Sequence, residues 1–426
     1  MSEYYDERET LPPEQREEHL MARLPQVLRA ARERAPAIAV QLQGVDVEAM
    51  RSREDLSAIP VIRKSELLQA QLKSREQARS RGPSSEHARY VFGGFSSIGW
   101  GRARKVFASP GPMYEPESAR PDYWGFARAL YAAGFRRDEL IYNCFSYHFT
   151  PAGSMMETAG HALGCTVFPG GVGQTEQQVQ AMADLMPNGY TGTPSFLKII
   201  LEKAQAMQVA LPGLSKALFS GEAYPPSLQQ WFAGQGIAGY QAYGSADLGM
   251  IAYETPAREG LVLNEDLILE IVRPGTGHAV EPGEVGEVVI TSFNPDYPLV
   301  RFGTGDLSAL MPGTSPCGRS NQRIRGWMGR ADQTTKVRGM FVHPAQVEQI
   351  RARHPELGLA RLVVRGAPGQ DQMVFQAESA SAPRGLEQAL ADTIREITKL
   401  RAQVELLAPD TLPRDGKVIE DQRTYE

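Results

Sequence analysis

The hydrophobic positions change period several times along the chain. In residues 13–42, Leu20, Leu24, Val27 and Leu28 recur at helical spacing among Glu, Arg and Gln, which predicts an amphipathic helix packed on the body. In the segment Ile59-Pro60-Val61-Ile62-Arg63-Lys64-Ser65-Glu66-Leu67, Ser65 is placed to cap the helix that follows. A helix over 122–135 is expected to end at Gly134, and Leu140, Ile141 and Tyr142 start a strand. The pattern then alternates. A helix over 152–164 leads to a buried strand 165–169 and a helix 176–186 capped by Thr175. Strand 189–192, helix 195–207, strand 216–220, helix 225–234 and strand 238–242 follow. Strands separated by helices imply a mostly parallel sheet with helices on both faces. Such sheets take ligands beyond the carboxyl ends of their strands, where Gly221-Glu222 and Tyr243 to Asp247 fall.

From 252 the pattern turns to strands, at 261–263, 267–273 and 285–291, punctuated by Pro274-Gly275 and Pro282-Gly283. This predicts a small antiparallel barrel or sheet, a β submodule over about 252–320. Beyond Arg330 the pattern resets into strand 334–337, helix 344–353, strands 359–365 and 372–377, helix 384–399 and strand 403–407. The expected fold class is therefore α/β. A large N-terminal domain, 1–329, carries mostly parallel sheets flanked by helices, and a small α+β domain, 330–426, follows a charged link at Gly329 to Gln333. The length of 426 residues agrees with two or three domains.

Composition narrows the function classes. Hydrophobic residues make up 42% and charged residues 22%, as in a soluble globular protein. A net charge of −5 argues against broad binding to nucleic acid or to an anionic membrane, both of which need a basic surface. Three cysteines, Cys144, Cys165 and Cys317, make no disulfide framework and point to a reducing compartment. The charged start, Met1 to Arg8, has no apolar core of a signal peptide, and no apolar run is long enough for a membrane span. A cytoplasmic enzyme is expected.

The candidate chemistry centres on Gly239 to Ile251. Tyr243 offers a flat face for a purine, and Ser245 a hydroxyl for a phosphate. Asp247 offers oxygen for a hard cation such as Mg2+, and Gly244 and Gly249 permit a tight turn and close approach to a ligand. The same residues also fit a strand end with a polar turn. Three later stretches alter the balance: Arg301-Phe302-Gly303-Thr304-Gly305-Asp306, Gly329-Arg330-Ala331-Asp332-Gln333 and Pro413-Arg414-Asp415-Gly416-Lys417. Four flanking segments agree with them: Ser220-Gly221-Glu222-Ala223-Tyr224, Gly192-Thr193-Pro194-Ser195, Pro298-Leu299-Val300-Arg301 and Arg338-Gly339-Met340-Phe341-Val342-His343-Pro344. In this order the set resembles the adenylate-forming superfamily of acyl-CoA synthetases and, within it, the phenylacetate–CoA ligase family, over nearly the whole chain.

The resemblance implies the adenylate-forming enzyme fold and an AMP-forming acid–CoA ligase using ATP, Mg2+ and coenzyme A. Its substrate would be a small carboxylic acid, and the aromatics Phe145, Tyr147 and Phe149, with His148, suggest an aryl or arylacetic one; packing in the core is the other reading of those rings. By the same match, Lys417 would be the catalytic lysine, Asp306 would hold the ribose hydroxyls with support from Arg330, and Tyr243 would cover adenine beside Ser220, Gly221 and Glu222. Ser245, next to Gly244, would touch phosphate, Asp247 would hold Mg2+ and Asp332 would be the pivot of a rotating C-terminal domain. Relatives are often dimers. A noncatalytic or half-reaction relative, and an enzyme that loads a carrier protein, are the alternatives.

The chain departs from the family pattern at several points. Where the family has an SSGTTGKP-type phosphate loop, this chain reads Ser96-Ser97-Ile98-Gly99-Trp100-Gly101-Arg102-Ala103-Arg104-Lys105. Backbone N–H groups around Gly99 and Gly101 and the basic side chains still suit an anion, or else the nucleotide grip is lost. Asp247 stands where the family usually has Glu, and Gly303 where it has Arg. Some relatives carry Cys/His clusters near 253–262 and 315–317; Cys317 alone matches, so no zinc site is expected. His278 and His343 are read as surface or structural residues, and the Lys64 segment supports the alignment without suggesting chemistry.

Overall fold

A computed structural model describes residues 3–79, 87–272, 277–331, 335–338, 340–342, 344–366, 371–381, 383, 385–412 and 418–423. The chain divides into two compact units, Met1–Gly329 and Arg330–Glu426.

The first unit is built on a nine-stranded sheet. Edge to edge its strands are Leu310–Met311, Arg323–Ile324, Leu261–Leu263, Gly249–Glu254, Ala238–Ser245, Lys216–Phe219, Gly189–Gly192, Leu140–Asn143 and Thr166–Pro169. The last five are mutually parallel. Helices such as Ala152–Leu163, Pro194–Ala206 and Pro226–Gly234 connect them. Apolar side chains from strands and helices form two cores, one with Ile141, Met156 and Leu218 and one with Tyr190, Leu197 and Phe219. Thr166–Pro169 is not the buried strand expected; it is the sheet's edge, and its residues are exposed or half-buried.

A second sheet of four strands runs Ile62–Arg63, Phe302–Ser308, Gly286–Ser292 and Leu267–Val272. Ile62–Arg63 joins it in parallel, with Ile62 opposite Phe302 and Arg63 opposite Gly303. The N-terminal segment is thereby fixed beside a motif that lies some 240 positions later in the chain. The next helix, Lys64–Arg79, starts one residue before Ser65, so Ser65 does not cap it. Glu66 instead reaches back, its Oε2 accepting from the Arg63 N–H at 2.7 Å. Thr175 is likewise the first helical residue of Thr175–Leu185, and no side chain caps that helix. The expected helix 13–42 is divided into Pro13–Arg34 and Pro36–Gln41; Pro36 takes the first position of the second helix, where its missing N–H costs nothing, while Pro25 is carried inside the first.

Beside the helix Lys64–Arg79 lies the hairpin Ala103–Ser109 with Met113–Ser118. The side-chain amide of buried Gln71 docks it: Nε2 donates to the Tyr114 carbonyl at 2.9 Å, and Oε1 accepts from the Tyr114 N–H at 2.9 Å. This pair mimics a strand partner and places Glu115 inside the unit.

The second unit has a four-stranded sheet in the order Gln403–Leu407, Gln372–Ser379, Leu357–Arg365, Ile419–Asp421. The helix Leu386–Thr398 lays Leu386, Leu390 and Ile394 into its core with Leu362 and Phe375. Their spacing of four residues puts them on one helical face.

Candidate active site

The carboxyl ends of the parallel strands gather the candidate residues of the first unit. Ala238–Ser245 folds directly back into Gly249–Glu254, with a register shift between Tyr243 and Gly244. The two glycines serve this hairpin. Gly249 sits at φ +74°, where a Cβ would lie 2.4 Å from the Trp124 carbonyl oxygen, and the next residue, Met250, donates its N–H to that same oxygen at 2.8 Å. A Cβ on Gly244 would meet the Gly249 carbonyl at 2.6 Å. The close approach these glycines permit is therefore to the chain's own backbone. Gly249→Ala combines a left-handed backbone with overpacking, and is expected to cost about 2–4 kcal/mol, read as a lowered urea midpoint with unchanged slope.

The turn presents Tyr243 and Ser245. Tyr243 Oη donates to Asp306 Oδ2 at 2.7 Å, and Trp327 Nε1 donates to Asp306 Oδ1 at 3.0 Å. Three stretches remote in sequence thus meet on one carboxylate. Trp327 carried no signal in the sequence; its place follows from the extended run after Arg323–Ile324, where the Met328 N–H donates to the Leu307 carbonyl and the Leu307 N–H donates to Gly329. Ser245 Oγ accepts from the Leu248 N–H at 3.2 Å, which leaves the hydroxyl proton directed elsewhere.

The neighbouring strand ends complete the rim. Gly221 follows Lys216–Phe219 at φ +80°, and a Cβ there would stand 4.0 Å from Phe145 Cε1. Glu222 Oε2 accepts from the Ser195 N–H at 3.4 Å, and the Ser220 N–H donates to Gly192 at 3.4 Å. Phe145 is buried, and half-buried Tyr147 accepts from Asn143 Nδ2 through its Oη at 2.8 Å. His148 and Phe149 differ from these two: both are exposed, Phe149 to 80%. Of the four aromatic-pocket candidates, the fold brings Phe145 and Tyr147 against the strand ends.

Asp247 is buried, its side chain 1% exposed. Its Oδ2 accepts from Lys64 Nζ at 2.8 Å, while Oδ1 has no hydrogen-bond partner. Close by, Glu115 Oε1 accepts from Ser109 Oγ at 2.6 Å, and its Oε2 also has no partner. Burial, and then the charge of Asp247, push the Glu115 carboxyl well above the ordinary carboxylate range. The Lys64 segment therefore does carry chemistry: it supplies the cation that faces the Asp247 carboxylate.

The loop in place of the family's phosphate grip closes on itself. The Gly99 carbonyl accepts from the N–H groups of both Arg102 and Ala103, at 3.3 and 3.0 Å, with Gly101 at φ +85° between them. Those amides are spent on the turn. Arg102 and Arg104 are exposed, and Lys105 Nζ donates to Ser154 Oγ at 2.7 Å beside Glu117. At the other departure, a Cβ on Gly303 would lie 2.7 Å from Glu287 Oε1 and 3.2 Å from Arg63 Cγ. Arg63, opposite Gly303 across the sheet, brings its own guanidinium to Glu287 Oε2 at 3.1 Å. An arginine on the adjacent strand therefore stands beside Gly303.

Where some relatives carry Cys/His clusters, a polar network stands instead. Glu9, fully buried, accepts from Tyr253 Oη on Oε1 at 2.9 Å, and its Oε2 forms an ion pair with Arg319, 3.1 Å from Nε. Cys317 Sγ lies 3.1 Å from Ser315 Oγ and 3.5 Å from Arg319 Nη1. Among the described residues no group of three or more His, Cys, Asp and Glu is arranged to hold a metal ion. His278 is exposed, and His343 lies outside the described residues. Arg330 opens the second unit. The pivot candidate Asp332 and the catalytic candidate Lys417 both lie outside the described residues.

Residues 123–294, which span the parallel strands and the Tyr243 hairpin, match the family model for AMP-binding enzymes. Phenylacetate-coenzyme A ligase of Thermus thermophilus is 29% identical, aligned over 96% of each chain, and that of Aromatoleum evansii is 27% identical over 91% of this chain and 90% of its own. Over nearly its whole length the chain is thus similar to phenylacetate–CoA ligases, and it carries the AMP-binding region of adenylate-forming enzymes. Its fold agrees: a 2-hydroxyisobutyryl-CoA ligase solved with 2-HIB-AMP and CoA superposes with a TM-score of 0.77 at 23% identity, over 99% of this chain and 93% of that one. No helix among the described residues is long and apolar enough to cross a membrane.

Proposed function

We propose that this chain is an AMP-forming, ATP-dependent ligase that activates an aryl or arylacetic acid as its acyl adenylate and passes the acyl group to coenzyme A. The convergence of Tyr243 and Trp327 on Asp306, at the carboxyl ends of a parallel sheet, carries the reading. A carboxylate accepts hydrogen bonds on both oxygens, the chemistry that a ribose diol requires, and by the family match Asp306 would take that role. The Tyr243 ring beside Ser220, Gly221 and Glu222 would cover the adenine, with Arg330 supporting the ribose from the second unit. Phe145 beside Gly221 puts an apolar wall next to the nucleotide loop, where an aryl acid has its carboxylate near the α-phosphate.

A free carboxylate is a poor acylating agent because its leaving group would be oxide. Attack of its oxygen on the α-phosphorus forms the acyl phosphate bond as the bond to pyrophosphate breaks. A thiolate then attacks the acyl carbon and AMP leaves. Both steps gather negative charge, so the protein's work is positioning and fixed positive charge. Ser245, whose oxygen already accepts from Leu248, would donate its proton to a phosphate oxygen. Lys417 would bring an ammonium to the α-phosphate, and rotation about Asp332 would withdraw it before thiolysis.

Asp247 Oδ1, a buried carboxylate oxygen without a partner, fits a divalent cation of the kind bound by one or two carboxylates together with substrate phosphates. When bound, Mg2+ would neutralise charge on the leaving pyrophosphate.

Exchange of labelled pyrophosphate into ATP, over a panel of aromatic and aliphatic acids, tests the first half-reaction; CoA-dependent release of AMP tests the second. Exchange with aryl acids and AMP release with CoA are the expected results, and no exchange with any acid overturns the reading. Asp306→Ala removes charge-assisted bonds to the ribose and is expected to lower kcat/KM for ATP about 100-fold, with the response to the acid little changed.

A further inference from the structure

We propose that Lys64 is the resident counter-cation of Asp247, and that it sets how tightly this site takes a divalent metal ion. The inference rests on the reading of Asp247 as a metal ligand and concerns a residue from a different part of the chain. Lys64 opens its helix immediately after the strand Ile62–Arg63, which is locked in parallel register on Phe302–Gly303. One helix face further, Gln71 holds the hairpin that carries Glu115. The backbone around the ammonium is therefore fixed at both ends, and Nζ reaches Asp247 Oδ2 at 2.8 Å.

The exposures of the two partners differ in a useful way. The Asp247 side chain is 1% exposed and that of Lys64 is 33% exposed. The lysine stem is the part of this pair that meets solvent, so it stands over the carboxylate. Beneath it, Asp247 Oδ1 and Glu115 Oε2 are buried oxygens without hydrogen-bond partners. The buried Asp247 carboxylate, with one oxygen unpartnered, attracts positive charge, and Lys64 supplies one unit of it. A divalent ion approaching Asp247 meets an ammonium already on Oδ2 and must either share the carboxylate or displace the amine.

The test uses Mn2+ alone, titrated into the full chain without nucleotide, with free Mn2+ read by electron paramagnetic resonance. Lys64→Met is expected to bind Mn2+ tighter than the natural chain by on the order of 10–100-fold. Lys64→Arg, which keeps the charge, should bind no tighter than the natural chain. Lys64→Met with Asp247→Asn should lose the gain. Equal affinity in Lys64→Met and the natural chain overturns the proposal, and so does a gain that survives Asp247→Asn. Should Lys64→Met not fold in metal-free buffer, Lys64→Gln carries the same expectation. A rise in its melting temperature with Mn2+ that the natural chain lacks is then the supporting result, and no such rise overturns the proposal. None of these readings involves ATP, an acid or CoA. A failed pyrophosphate exchange and a failed metal titration therefore point to different errors.

Discussion

Lys417→Ala should reduce acid-dependent pyrophosphate exchange by about 10²–10³-fold, the usual loss when one electrostatic donor to a charged transition state is removed. Thiolysis of a supplied acyl adenylate by CoA should be unchanged. The split follows from the order of events. Negative charge builds at the α-phosphorus only while the acid attacks it, and a mobile amine is needed then and must leave afterwards. After 413–417 the chain enters the strand Ile419–Asp421, paired in parallel with Leu357–Arg365. Arg423 then ties it down, through Nε to Asp421 Oδ1 at 2.8 Å, Nη1 to Asp371 Oδ1 at 3.0 Å and Nη2 to Thr335 Oγ1 at 3.1 Å. Arg423 is thus an anchor for the strand Ile419–Asp421. Both half-reactions are to be measured on the same preparation, because equal loss of both removes the adenylation role assigned to Lys417.

What the sequence disclosed, and what it hid, follows from the range of the interactions. The alternation of strand and helix from Leu140 to Ser245 is local, and the parallel sheet follows from it. Order across that sheet is not local, so Thr166–Pro169, apolar enough to look buried, proved to be an edge. Ser65 and Thr175 have the right residue type for caps but are the second and the first residue of their helices, a shift that periodicity does not resolve. The strands of 252–320 read correctly as β. Gly249–Glu254 and Leu261–Leu263 extend the large sheet, however, while Leu267–Val272 and Gly286–Ser292 pair with Phe302–Ser308 and the distant Ile62–Arg63. That last pairing sets Arg63 beside Gly303, with its guanidinium on Glu287, and starts the helix whose Lys64 meets Asp247. Each contact spans more than 150 positions, and spacing along the chain carries no trace of it. Tyr243 and Asp306, by contrast, were legible because both lie in stretches with family resemblance, and their hydrogen bond joins them directly.

The largest effect on folding is expected at Arg301, which stands in a candidate nucleotide motif yet acts elsewhere. Its guanidinium is 2% exposed and every nitrogen is engaged. Nε and Nη2 donate to the two Glu270 oxygens at 2.9 Å each, and Nη1 donates to the carbonyls of Ser57 and Ile59 at 2.7 and 2.6 Å. Nη2 also donates to Gly277 at 2.8 Å. One side chain therefore satisfies a buried carboxylate and three backbone carbonyls, and it joins the N-terminal segment to the second sheet just ahead of Ile62–Arg63. Burial raises the Glu270 carboxyl above its ordinary range even with the arginine present. Arg301→Ala leaves that carboxylate without compensation and should cost about 3–5 kcal/mol, the range for breaking a buried pair from one side. Because Glu270 then ionises only against burial, the folded state of the variant holds its proton to higher pH than the unfolded chain. Its deficit should accordingly shrink as pH falls from 7 toward the acid range, where the unfolded carboxyl is also protonated. Urea unfolding at several pH values measures both effects. Arg301→Met with Glu270→Met should recover much of the loss, since it removes both charges together; recovery no better than Arg301→Ala would mean that the carbonyls of Ser57, Ile59 and Gly277, rather than the ion pair, carry the contribution. The site would feel the change through Lys64, whose helix follows the segment that these bonds seat, so in Arg301→Ala the metal affinity at Asp247 should move with stability rather than independently of it.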